Sequence, residues 1–418
     1  MNVMTISLRS AFALTLLAGC FPKPSEQYAC INDTDCNGGR VCGESNFCII
    51  PGDGDGGTDG PPGDMADPCR SFGSRHFDAC TIPKPMGGPM SLAVTTSPYI
   101  YDTGTGMLLD PNNVASTPPS MTVADGRVLS VESFSLGAGA TLRIRGTAPL
   151  IIASWATLEV NGIIDVASKD GSPGAGAQPY ATPSTFCANH LSATPAQNGA
   201  GGGGGGGGAM ASNGGNGGGG DNNNDTGGTG AVGALAASPL LAAGCPGDKG
   251  GNGGNNGGVG GLGGGAIQLT ARTSITIAAT GRINAGGQGG RPGGGGTGGG
   301  GGGGGGGMIG LETPSLTITP GAILAANGGG GGQGGGNNGG TPGPGQDGQL
   351  SAVASTGGQT GSGGRGGAGS INLSAASTGA NDGAGGGGGG GGAGYITIKA
   401  PTRNDSGATF SPLPTVIP

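Results

Sequence analysis

Short runs of alternating apolar and polar residues are the strongest pattern in this chain. Residues Ala140 to Gly146 read ATLRIRG, and the same alternation continues at Leu150 to Ala153 and Leu158 to Val166, with Gly162 as a break. A period of two predicts half-buried β-strands, here about four residues each. Earlier runs at Leu92 to Thr96 and Tyr99 to Thr103 are separated by proline and glycine. These read as strands set off by turns.

The pattern then repeats. GGAIQLTARTSITIAATGRINAGGQGG begins at Gly264 and GGMIGLETPSLTITPGAILAANGGGGG at Gly306. Aligning them matches Ile267 with Ile309, Leu269 with Leu311, Ile275 with Leu316, Ile277 with Ile318 and Ile283 with Ile323. Shorter echoes occur at Ser370 to Leu373 and Tyr395 to Ile398. Repeats of two or three short strands that stack identical aliphatic positions predict a mainly β chain with a right-handed parallel β-helix-like body over 128–400. A transmembrane barrel is excluded on strand length, since such strands need about 9–11 residues. Asn284 and Asn327 follow the matched isoleucines, as an asparagine ladder or, more simply, as left-handed turn residues.

Glycine changes this picture. It supplies 109 of 418 residues, while aromatic residues supply 3%, which excludes a core built on aromatic rings. The glycines lack the strict three-residue period of collagen. Ile267 to Ile309 spans 42 residues, Ile309 to Ile371 spans 62 and Ile371 to Ile396 spans 25, so glycine-rich excursions separate the coils. Ordering them costs more than the aliphatics of one coil return, so they stay mobile or find hydrogen bonds of their own. Uninterrupted runs at Gly201–Gly208, Gly298–Gly307 and Gly385–Gly392 can form extended threefold helices that bond backbone to backbone. That ordered state is expected beside Met308 and Tyr395, and mobility is expected for residues 210–230, which asparagines and aspartates interrupt.

The first twenty residues carry an address. Arg9 precedes the short apolar run Ala11 to Leu17, and the segment closes on Leu17-Ala18-Gly19-Cys20. This resembles the lipobox of bacterial lipoproteins, which implies a signal peptide over 1–19, lipidation of Cys20 and a membrane anchor, in the outer membrane by the sorting rule that Phe21 fits. The other eight of the nine cysteines predict disulfides in an exported chain. Cys30, Cys36, Cys42 and Cys48 are spaced with five residues between neighbours, too wide for an ordinary zinc knuckle. Their stretch CINDTDCNGGRVCGESNFC resembles cysteine-rich modules that follow the anchor in lipoproteins of myxobacteria and their relatives. Four cysteines leave three pairings open. Cys69 with Cys80 and Cys187 with Cys245 are the expected further bridges. Asp33 and Asp35 read as solvated turn residues.

The organisation that follows is an anchor and cysteine module over 20–50 and a Gly/Pro/Asp linker over 51–68. A short β-rich cap over 69–127 precedes the repeats at 128–400, and a tail over 401–418 follows them. Net charge is −7, from 24 acids and 17 bases, which argues against a nucleic-acid partner. The glycines produce many GxGxxG matches by composition, and Gly244 to Gly250 lacks the ending of a phosphate loop. The two histidines, His76 and His190, sit in polar, loop-like surroundings and suggest neither a triad nor a metal site. Asp165 reads as a strand residue. Asp221 and Asp225 lack the order of a calcium-binding nonapeptide. No cofactor is implied.

The expected function is structural or adhesive at the cell envelope, without catalysis, toward envelope glycans or neighbouring surface proteins. The alternative is a β-helix enzyme, a lyase or hydrolase that degrades polysaccharides, with Asp165 in its groove. An ice or crystal binder is a narrower rival. It requires regular rows, for which Thr270, Thr276 and Thr317 are few.

Overall fold

A computed structural model describes residues 41–42, 48–49, 74–85, 88–179, 181–182, 184–188, 196–233, 240–337 and 340–417. The chain divides into two compact units, Met1–Asp64 and Met65–Pro418. In the first, β1 (Val41–Cys42) and β2 (Cys48–Ile49) pair antiparallel with Cys42 opposite Cys48. The expected lipobox, Cys20, Cys30, Cys36, Cys69, the linker and His190 lie outside the described residues.

The second unit opens with β3 (Met90–Leu92), β4 (Tyr99–Asp102), β5 (Met107–Leu109), β6 (Ala115–Ser116) and β7 (Ser120–Val123). Three strands per coil then follow: β8 (Gly126–Val131), β9 (Phe134–Leu136) and β10 (Thr141–Arg145), then β11 (Leu150–Ser154), β12 (Thr157–Val160) and β13 (Ile163–Asp165). Beyond helix α1 (Thr185–Ala188) come β14 (Ala266–Ala271), β15 (Ser274–Ile277) and β16 (Arg282–Asn284). They are followed by β17 (Met308–Glu312), β18 (Ser315–Ile318) and β19 (Ile323–Ala325). Finally come β20 (Tyr395–Lys399), β21 (Thr402–Asn404), β22 (Thr409–Ser411) and β23 (Thr415–Val416). From β8 onward each strand pairs in parallel with the third strand after it, so the chain visits three open sheets in rotation.

Register explains the aliphatic repeat. Leu129, Ile152, Leu269, Leu311 and Ile398 lie side by side across the first sheet. Phe134, Leu158, Ile275 and Leu316 do so in the second, and Leu142, Ile164, Ile283, Leu324 and Phe410 in the third. The inward side chains of all three sheets form one buried cluster. Each contributes about 1.5–3 kcal/mol by leaving water. The large aromatic members, Tyr99, Tyr101, Phe134 and Phe410, belong to strands near the two ends of the stack, so stacked aliphatics fill the middle.

Four sequence expectations need correction. Ile283 pairs with Leu324 rather than Ile323, because Leu324 follows Ile318 by the same six residues by which Ile283 follows Ile277. Ser370 to Leu373 forms a bend, with Leu373 half exposed, because the Ser370 hydroxyl bonds the carbonyls of Asn372 and Ser374. The next coil instead starts at Tyr395, where Ile396 pairs with Ile309. Asn284 lies opposite Ala325, so it forms no ladder with Asn327, and neither asparagine has a positive φ.

The ends of the stack differ. At the start, β4, β5 and β6 pair antiparallel, as do β7 and β8. The β4–β5 turn forms because the Asp102 carboxylate accepts the N–H groups of Gly104 and Thr105, with Gly106 at φ +76°. At the other end residues 401–418, set apart as a tail in the sequence, add β21, β22 and β23 to the sheets. Those strands are two or three residues long and lie among Pro401, Pro412 and Pro414, whose missing N–H groups blunt an open edge.

The first sheet is buried on both faces. Strands β11, β14 and β17 are buried at every position, although their sequences do not read as uniformly apolar. Their outward residues Ile151, Ala266 and Met308 pack in a second cluster with Ala79 and Ile82, and with Met210, Ala211, Leu241 and Ala242. The segment 74–85 also crosses this face, with Arg75 paired to Glu312 at 2.8 Å and the Pro83 carbonyl accepting from the Ser130 hydroxyl.

Candidate functional site

All three glycine-rich excursions, 166–265, 285–307 and 326–394, leave from the end of a third-sheet strand and return at the start of a first-sheet strand. One corner of the stack therefore gathers every glycine run, and the runs pack against one another. Gly298–Gly307 is the hub. Its N–H groups donate in rotation to three segments: Gly299, Gly302 and Gly305 to the carbonyls of Gly251, Asp248 and Cys245; Gly300, Gly303 and Gly306 to Gly386, Gly389 and Gly392; Gly301, Gly304 and Gly307 to Arg291, Gln288 and Ala285. Its carbonyls accept from three more, including Gly205, Gly261 and Gly332. A three-residue rotation of partners is the signature of an extended polyproline-II-type helix, which has no internal hydrogen bonds and so offers every backbone group to neighbours.

Only glycine permits this spacing. A Cβ on Gly301 would stand 2.2 Å from the Val259 carbonyl oxygen, and one on Gly304 would stand 2.0 Å from that of Leu262. Both contacts are with backbone, which no side-chain rotation can relieve. Gly201–Gly208 and Gly385–Gly392 are bonded in the same way, as in Gly386 to Gly202 and Gly389 to Gly205. The expected mobility of residues 210–230 is corrected by this arrangement. Gly215 and Gly218 donate to Gly390 and Gly387, and the Asn213 and Asn216 side-chain oxygens accept from Gly233 and Gly230. The asparagines supply acceptors at the margin of the bundle, where a further glycine segment is lacking.

The remaining sequence candidates fall into place around this bundle. Gly244 to Gly250 is one of its extended segments and cradles no helix start. Cys187 in α1 is bonded to Cys245 within that segment, which staples the first excursion. Cys80 is also disulfide-bonded. Asp165 is buried against Arg143 and Lys169 and accepts from the Ala167 N–H, so its oxygens are occupied by its own strand neighbours. His76 is buried with Nδ1 3.0 Å from Asp125. Asp125 also borders an open cleft of about 600 Å³ lined by Pro149, Phe186 and Leu241. Thr276 and Thr317 lie side by side on the second sheet, whereas Thr270 is buried under the covered face of the first. Among the described residues no group of His, Cys, Asp and Glu is arranged to hold a metal ion. Among them, too, no helix is long and apolar enough to cross a membrane.

Asp248 is a buried acid that the sequence did not single out. It lies in the segment that holds Cys245, donates its N–H to the Gly206 carbonyl of the Gly201–Gly208 run and accepts the Lys249 N–H at 2.7 Å. Burial pushes its carboxyl above the ordinary carboxylate range, against the lowering effect of the Lys249 and Ala196 N–H groups. Its contribution to stability is therefore complete below the unfolded pKa and is lost as pH rises through the folded one. Asp248→Asn is expected to raise stability at neutral pH by about 1 kcal/mol, with the difference vanishing below about pH 4. Parallel melts of both proteins at pH 3.5 and 7 check this; an unchanged difference across that range contradicts it.

Comparisons with known proteins add no likeness: no family model, no curated protein and no solved structure matches this chain.

Proposed function

We propose that this chain is an exported, lipid-anchored cell-envelope protein with a structural or adhesive surface role and no catalytic one. The observation that carries the reading is the glycine bundle, whose interior is backbone bonded to backbone. Such a body offers rigid surfaces built from backbone. We read the coil beneath it as a right-handed parallel β-helix. Rotation through three parallel sheets supports this, as does the hand favoured for parallel crossovers. The anchor rests on Leu17-Ala18-Gly19-Cys20 and places the membrane among the partners.

Mass spectrometry of the mature protein is expected to find Cys20 as a diacylglyceryl-modified N-terminus. An unmodified Cys20 thiol contradicts the anchor. Intact cells lacking the protein are expected to lose adhesion or envelope integrity. Unchanged cells, together with turnover of a polysaccharide that Asp165→Ala abolishes, would favour the enzyme alternative.

A further inference from the structure

The bundle segments end in two places. One end feeds the sheets through Gly265, Gly307 and Gly394, each directly before a strand. The opposite end gathers the turns. There Gly335 donates to Gly298, Gly385 to Gly335 and Gly202 to Thr297, while Asp221 donates to Ala384 and Gly199 to Asn252. Turns 197–201, 219–226, 252–257, 294–298, 359–363 and 381–385, far apart in sequence, thus form one distal surface.

Its chemistry is narrow. These turns contain amides, hydroxyls and carboxylates, with no lysine, arginine, histidine, aromatic residue or aliphatic side chain larger than alanine. The Oδ1 atoms of Asn198, Asn252 and Asn381 are taken by the N–H groups of Asn252, Gly257 and Gly219. An asparagine whose oxygen is occupied still has its NH₂ group to donate. Asp221, Asn222 and Asn223 are consecutive residues with positive φ (45°, 54° and 76°), a costly backbone that the surrounding turns hold in place.

We infer that this distal surface recognises a neutral, hydroxyl-rich glycan; the inference rests on the surface role proposed above. Protein partners are usually held by aromatic and arginine anchors, which these turns lack. Anionic partners face Asp221, Asp225 and Asp382 within the turns, whereas the flanking cations Lys249, Arg291 and Arg365 lie two or three residues outside them. Apolar ligands find no apolar surface. Hydroxyl groups, which both donate and accept, match amides and carboxylates together. Contacts of this kind are weak one at a time, so a repeating polymer gains most from a rigid anchored array.

The test is binding of the full mature protein to an array of neutral oligosaccharides and of uronate- or sulfate-bearing ones. Binding to at least one neutral class is expected. It should fall at least about tenfold in the triple variant Asn222→Gly, Asn223→Gly, Asn255→Ala, in which glycine retains the left-handed backbone. Asn255→Lys alone, at an exposed position, gives a second route to the same loss. Thr317→Ala, on the second sheet, should bind as the parent does. No binding to any neutral glycan, binding confined to acidic ones, or undiminished binding by both distal variants overturns the inference. If adhesion of cells requires the protein but the distal variants adhere normally, this inference fails while the surface role stands.

Discussion

Gly301→Ala is expected to destabilise the glycine bundle by at least about 3 kcal/mol. The added methyl would lie 2.2 Å from the Val259 carbonyl oxygen, inside the hub segment. Relief requires that segments move apart, and Gly301 itself donates to Arg291 while its carbonyl accepts from Gly332. Overpacking alone costs about 1–3 kcal/mol, and each lost backbone bond adds about 1 kcal/mol. Gly295→Ala is the control. It carries the same chemical change at a turn where nothing lies within 4 Å of the new atom. Denaturant unfolding followed at the bundle should separate the two variants widely. Equal midpoints would mean that the runs do not pack as described.

Removing the Cys187–Cys245 bridge is expected to cost a comparable amount. The bond closes a sequence separation of 58 residues, worth about 4 kcal/mol on the chain-entropy model. It also fixes a segment that the hub uses directly, since Gly305 donates to the Cys245 carbonyl and Cys245 donates to that of Ala209. The double variant Cys187→Ser, Cys245→Ser should unfold at lower denaturant, with loss of protection first in residues 196–264. Stability within about 0.5 kcal/mol of the parent would show that the backbone network alone sets the register.

What the sequence disclosed followed from side chains. The Leu269–Leu311 and Ile277–Ile318 pairings were legible because stacked strands repeat the same apolar residues at the same spacing. The expected Cys187–Cys245 bridge also stands. Ile323 misled because one residue type was matched by identity, whereas the six-residue step from Ile277 to Ile283, repeated from Ile318, points to Leu324. Gln268 and Thr270 look like outward polar positions, yet both are buried, because residues from 74–85 and the first excursion cover that sheet. No local period could announce a covering segment so distant in sequence.

The bundle itself was legible as a possibility and hidden in its extent. Long glycine runs suggested backbone pairing, but a glycine segment has no side-chain pattern to name its partners. Residues 210–230 were expected to be mobile because asparagines and aspartates interrupt them, although Asn213 and Asn216 serve as acceptors for neighbouring glycines. The distal surface was hidden for the same reason. Its turns become neighbours only after three excursions from one corner pack together.

Amide hydrogen exchange at Gly298–Gly307 tests the central claim most directly. Each of Gly299 to Gly307 donates to a carbonyl of a neighbouring segment, and the run is buried throughout. These amides should exchange orders of magnitude more slowly than those of an unfolded peptide, with Gly299 to Gly307 protected as one cooperative unit. Exchange at the unfolded rate, while Ile309 and Leu311 remain protected, would contradict the bundle and leave only the stacked sheets.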